Sequence, residues 1–208
     1  MLFSDLTLHI SPLVNKCLDD YGVYRQIISL VDINSEDFNC TFDNELSRKD
    51  IWKNWDYPRE LRSTYIEGRS VLIDALLKKI HNEHKKTIIS NIIELDKPTF
   101  NYFHKDPIEH YLNNCKLYAS LFYDKPNFEM SPHIDNHSII GQYIINLNHN
   151  STGTKFYEFN TKVHTIIGPS EKNKGVVFLN TALSAHTIDN ITHDRYILYI
   201  SVLMPTGN

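Results

Sequence analysis

The residues most able to do chemistry are a histidine and an aspartate two apart, His133-Ile134-Asp135, with a second histidine, His186, 53 positions on. The stretch around His133 reads as a strand, and in a strand residues i and i+2 point to the same face, so one imidazole and one carboxylate can aim at a common point. His186 completes a two-histidine, one-carboxylate set. Such a set occupies one face of an octahedral metal and leaves three positions open, the arrangement used by non-heme Fe(II) oxygenases. The motif alone is weak. With 11 histidines and 25 acidic residues in 208, chance predicts about one His-x-Asp/Glu match, and the chain has three, including His81-Asn82-Glu83 and His104-Lys105-Asp106. Context separates them. The first closes a helical pattern, where i and i+2 diverge, and the second precedes Pro107 in a polar loop. Only the third combines a strand pattern, a distant histidine and, nine residues beyond that histidine, Arg195.

Arg195 stands out for its isolation. The six arginines fall at 25, 48, 59, 62, 69 and 195, so it is the single one after position 69. One arginine among lysines suits a task needing a planar, bidentate fork rather than a generic positive charge.

The elements that must position these residues divide into two regimes. Residues 1–115 read as mainly helical: an amphipathic pattern over 11–31 weakened by Gly22, a polar stretch at 34–58 with Trp52 and Trp55 as packing or lid residues, and a second helical pattern from Pro58 to Lys86 ending in a solvated Lys-rich run. Residues 88–95 fit either a strand or a buried helix, and 107–114 read as a short helix with Pro in its first turn. From 116 to 204 the text becomes short, aromatic and β-branched: 117–123, 128–135, 139–148, 154–159, 163–167, 175–180, 184–188 and 195–204, separated by turn clusters such as Asp124-Lys125-Pro126-Asn127. Seven or eight closely spaced strands predict a sandwich or barrel rather than a parallel sheet. The whole chain, 1–208, reads as one α+β domain, a helical elaboration over 1–115 and a β-core over 116–204.

Composition bounds the function. At 24.3 kDa a single domain buries about 70% of its unfolded surface. Hydrophobic residues at 41% and charged residues at 22% exclude collagen-like and disordered classes. A net charge of −4 counts against nucleic acid as a partner. No apolar run approaches a membrane span, and the N-terminal stretch lacks the pattern of a secretory leader. Cys17, Cys40 and Cys115 are odd in number with no CxxC, which suits a reducing cytoplasm and cysteines used as small core residues.

His133, Asp135, His186 and Arg195 together resemble the signature of the 2-oxoglutarate- and Fe(II)-dependent dioxygenases, over about residues 116–204. The prolyl-hydroxylase-like branch is nearest: Tyr123 lies ten residues before His133, Asn136 follows the HxD, a strand ends in Leu147-Asn148, Thr152-Gly153-Thr154-Lys155-Phe156 resembles a GGT-x-F segment, and Gly175-Val176-Val177-Phe178 resembles the strand before the distal histidine. The resemblance implies a double-stranded β-helix, or jelly-roll, cupin-like core with the N-terminal helices packed on it. Fe(II) would be held by the catalytic set His133, Asp135 and His186. The co-substrates would be 2-oxoglutarate and O2, with Arg195 on the far carboxylate of the former and Tyr123 as a hydroxyl helper. Asn146 falls where relatives often place a tyrosine against the co-substrate, a departure from the pattern. Thr165, Tyr199 and Ser201 are further candidates.

The function so implied is hydroxylation of an amino-acid, peptidyl or small-metabolite substrate, with release of succinate and CO2. Three alternatives stand beside it, one of them a purely structural jelly roll that would take up no Fe(II). A cupin-like metal-binding or sensory protein would use the same core without needing Arg195. A nucleic-acid demethylase of the same superfamily would usually carry a second arginine six residues after the first, where this chain has Ser201.

Overall fold

Along the final strand the side chains sort by parity. Arg195, Ile197, Tyr199, Ser201 and Leu203 face a cavity, whereas Leu198, Ile200 and Val202 belong to the core beneath the helices. This period of two places one hydrophobic core on each side of the same sheet. The computed structural model describes residues 1–13, 28–55, 60–157, 164–182 and 184–205.

Among these the strands are β1 (Thr7–Leu13), β2 (Ile28–Asn34), β3 (Trp52–Asn54), β4 (Arg62–Tyr65), β5 (Lys116–Asp124), β6 (Met130–His133), β7 (Ile139–Asn146), β8 (Lys155–Tyr157), β9 (His164–Ile167), β10 (Lys174–Leu179), β11 (His186–Ile188) and β12 (Arg195–Leu203). They form an eight-stranded sheet ordered β1-β2-β10-β7-β12-β5-β4-β3 and a four-stranded sheet ordered β6-β11-β8-β9, antiparallel throughout. The two sheets are those of a jelly roll. Between them lie Phe122, Ile144, Phe156, Val176, Phe178 and Ile197, joined by Ile28.

Five α-helices and one 3-10 turn (Lys49–Ile51) complete the described chain, the α-helices being α1 (Cys40–Leu46), α2 (Val71–Glu83), α3 (Lys85–Leu95), α4 (Lys97–Phe103) and α5 (Ile108–Asn114). Helix α2 starts where the Ser70 side chain accepts from the Ile73 amide, with Asp74 in the first turn complementing the helix dipole. Its Ile73, Leu76 and Ile80, with Ile88, Ile89, Ile92 and Ile93 of α3, pack on the outer face of the large sheet against Leu121, Tyr143, Ile145 and Val177. Gly141 in β7 permits the close approach of α3: a Cβ there would lie 2.7 Å from Ile92 Cγ2. The apolar run 88–95 is therefore a buried helix.

The eight strands expected after residue 116 all form. Within 1–115 helices are present as α1 to α5, but two local expectations are corrected. Residues 11–13 and 28–31, at the two ends of the expected helix 11–31, are strand, and 14–27 lie outside the described residues. The segment 58–86 also begins extended where it is described, with β4 over 62–65. The physical reason is tertiary. Residues 28–32 pair with β10 and 62–64 with β5, and these non-local ladders override a local 3.6-residue period. Cys115 is buried as expected of a core residue, but Cys40 is exposed at the start of α1, and Cys17 lies outside the described residues. No helix among the described residues is long and apolar enough to cross a membrane.

Candidate metal centre and anion pocket

The pairing of β6 with β11 sets His133 directly opposite His186, and the two rings stand 4.6 Å apart, centroid to centroid. Each Nδ1 lies 2.9 Å from the backbone carbonyl two residues earlier, Ser131 for His133 and Ser184 for His186. A carbonyl only accepts, so both Nδ1 atoms carry the proton and both Nε2 atoms present a lone pair. Asp135 falls just past the end of β6, yet its carboxylate closes the set. Oδ1 is 3.8 Å from His133 Nε2, and Oδ2 is 3.3 Å from His186 Nε2. The three donor atoms all lie within 4.8 Å of one another. Two lone-pair imidazoles and one carboxylate at this separation fit a divalent iron with open positions.

The surroundings hold these donors in place. Asn180 donates through Nδ2 to the carbonyls of Asp135, Asn136 and Ile139 at 3.3, 3.0 and 3.1 Å, pinning the turn after β6. Gln142 of β7, fully buried, donates from Nε2 to Asp135 Oδ2 and accepts at Oε1 from the Tyr199 hydroxyl. His186 packs against Phe156 and Phe178. Burial pushes its imidazole below the ordinary value, against the opposing pull of Asp135.

The donors open into a cavity of about 380 Å³ with Trp55, Arg62, Tyr118, Phe122, Phe128 and Arg195 on its walls. Arg195 and Asp124 are register partners across β12 and β5, and Arg62 and Asp124 across β4 and β5. The three charges therefore form one cross-strand row. Arg195 Nη1 donates to Asp124 Oδ2 at 3.0 Å, and Arg62 Nε lies 3.2 Å from Oδ1. Asp124 is fully buried and Arg195 only 3% exposed. Burial lowers the pKa of Arg195, and Asp124 opposes that shift.

His133, Asp135, His186 and Arg195 thus meet around one cavity. Tyr123 does not join them. It lies on the opposite face of β5 from Phe122, donates to Asp194 Oδ1 at 3.0 Å, stacks on Tyr196 and meets Trp52 at a tilt. Asn146 donates to the carbonyls of Pro169 and Lys174, at 2.9 and 3.1 Å. Tyr199 and Ser201 line the cavity; the side chain of Thr165 lies outside the described residues. Sequence reasoning missed Arg62, Asp124, Gln142 and Asn180. Parity could have found two of them. If Phe122 faces inward, so does Asp124, and Gln142 shares a face of β7 with Ile144.

No family model and no curated protein matches this chain. Solved structures do. A prolyl-4-hydroxylase from Pseudomonas putida matches at a TM-score of 0.51 and 13% identity, covering 86% of this chain and 93% of that one. A prolyl hydroxylase from Trichoplax adhaerens, in complex with a hypoxia inducible factor peptide fragment, matches at 0.52 and 13%, covering 94% and 83%. A viral collagen prolyl hydroxylase from Paramecium Bursaria Chlorella virus-1 matches at 0.51 and 12%, covering 94% and 96%. Two facing antiparallel sheets with helices on the outer side of the larger one are thus the fold that this chain shares with these prolyl hydroxylases.

Proposed function

We propose that this protein is an Fe(II)- and 2-oxoglutarate-dependent oxygenase that hydroxylates an amino-acid or peptidyl side chain, or a small metabolite. One observation carries the reading. His133, Asp135 and His186 converge with both Nε2 lone pairs free, in the cavity that also holds Arg195. His133 and His186 bind through Nε2 and Asp135 through a carboxylate oxygen. Bound iron supplies the coupling of 2-oxoglutarate decarboxylation, to succinate and CO2, with insertion of oxygen from O2 into a substrate C–H bond. Arg195 takes the far carboxylate of the co-substrate, since a guanidinium fork matches a carboxylate. Phe122, Ile144 and Ile197 keep water from that end. Tyr123 and Asn146 serve the frame in this reading, and Tyr199 supplies the hydroxyl on the cavity wall.

A peptidyl substrate is favoured by the cavity's rim, where Trp55 and Tyr118 are 41% and 45% exposed, and by the peptide in the Trichoplax adhaerens complex. A demethylase is disfavoured because Ser201 occupies the cavity wall six residues after Arg195. The cupin-like reading draws on the engagement of Arg195 by Asp124.

The test is Mn(II) titration followed by Fe(II)-dependent succinate formation from 2-oxoglutarate, with peptide pools as prime substrates. Asp135→Ala and His186→Ala should each weaken Mn(II) binding at least a hundredfold and abolish succinate formation. A wild type that binds Mn(II) but forms no succinate supports the cupin-like protein. One that binds no Mn(II) overturns both.

A further inference from the structure

The charges at the far end of the cavity do not balance. Two guanidiniums, Arg62 and Arg195, share one carboxylate, Asp124, leaving one positive charge among Phe122, Phe128 and Ile197. Both arginines line the cavity. Arg195 Nε is buried with no hydrogen-bond partner, and Arg62 Nε, although 3.2 Å from Asp124 Oδ1, lacks hydrogen-bond alignment with it. The Arg62 guanidinium rests 4.1 Å from the centroid of the Phe122 ring and 5.3 Å from that of Phe128. Its side chain is 14% exposed. Keeping an uncompensated, underbonded guanidinium pair in an apolar pocket is costly unless an anion arrives to complete it.

We propose that Arg62, delivered by β4 from outside the β-core, is a second co-substrate-binding residue. It forms with Arg195 a two-guanidinium subsite for the distal carboxylate, and Asp124 is the fixed counter-ion that aligns both forks. The proposal rests on the oxygenase reading above. A monoanionic carboxylate brings the row Arg62–Asp124–Arg195 to neutrality and supplies acceptors for the donors left open. Arg62 thereby sets the preference for a 2-oxo diacid over a 2-oxo monoacid, which has nothing to place there.

Calorimetric titration of the Mn(II)-loaded protein with 2-oxoglutarate and with 2-oxobutyrate tests this. Arg62→Gln should weaken 2-oxoglutarate at least tenfold while leaving Mn(II) and 2-oxobutyrate within twofold of wild type, and Arg195→Gln should behave alike. An Arg62→Gln protein that binds 2-oxoglutarate normally, or that loses both oxo acids equally, overturns the role of Arg62. The oxygenase reading survives in either case if Arg195→Gln still weakens 2-oxoglutarate while leaving 2-oxobutyrate unchanged. A wild type that holds Mn(II) but binds no 2-oxoglutarate overturns both together. A second measurement needs no variant. With six arginines in the chain, the Nε–H resonances of ¹⁵N-arginine-labelled protein are few. Two of them should shift when 2-oxoglutarate joins the Mg(II)-loaded protein, and a shift in one alone overturns the subsite.

Discussion

Gln142 has the two ends of its amide committed in opposite senses, donating to Asp135 and accepting from Tyr199. That assignment fixes which carboxylate oxygen of Asp135 remains free for a metal. Gln142→Leu removes the donor, lets the carboxylate rotate and takes away the Gln142 acceptor of the Tyr199 hydroxyl. Mn(II) affinity should fall about 10–100-fold, the usual cost of losing a partner behind a metal ligand. Titration followed by Mn(II) electron paramagnetic resonance measures it, and a change under twofold would sink the idea. The proposed ligands were legible in sequence from the His-x-Asp spacing and from the distance of His186 and Arg195 beyond it, although Asp135 lies just past β6, outside the strand expected to aim it. Gln142, Asn180 and Asp124 were not, because each acts through a contact made by the ladders: 142 to 135, 180 to 135 and 124 to both 62 and 195. Tyr123 shows the converse. Its spacing to His133 matched a known pattern, but strand parity turns it to the far side of β5, and the inward place next to it belongs to Asp124.

Strand β10 lies between β2 and β7 in the large sheet, and its Gly175 pairs with Val31 of β2 and Ile145 of β7. A Cβ at Gly175 would fall on the Ile144 carbonyl oxygen and within 2.6 Å of Ile145 Cα. Both are backbone atoms and cannot swing aside. Gly175→Ala should therefore cost about 1–3 kcal/mol by overpacking, read as a lowered urea midpoint with an unchanged slope. A midpoint equal to wild type would show that the ladder can widen there. The core strands from β5 to β12 were readable because turn residues bracket short β-branched runs, whereas β1, β2 and β4 were not. Their apolar residues also satisfy helical spacing, and only the exposed edges of a jelly roll, supplied by distant sequence, decide between the two. Through that addition Arg62 reaches the cavity.

The large sheet separates two cores, a larger one under the helices and a smaller one beside the candidate metal centre. On the helical side, His104 packs between Phe100 and Tyr111, with ring centroids 4.5 and 5.4 Å away, and the Nε2 of His84 is buried without a partner. Burial lowers the pKa of both, His84 with a further push from Lys79. Above the ordinary histidine value near 6.5 both groups are neutral whether the chain is folded or not, and they add no pH dependence. As pH falls below it, the unfolded chain takes up protons that the folded protein refuses, so folding stability declines with acidification. Replacing His104 by Leu removes one such group while keeping an apolar filling between the rings. Its stability profile should be flatter than that of wild type below pH 6.5 and parallel above it, measured by urea unfolding at intervals from pH 5 to 8 on metal-free protein. Because His186 and His84 remain in both proteins, their contributions cancel in the difference. Profiles parallel over the whole range would mean that His104 takes up its proton in the folded state as readily as in the unfolded chain, and that the helix-side core admits water at Phe100.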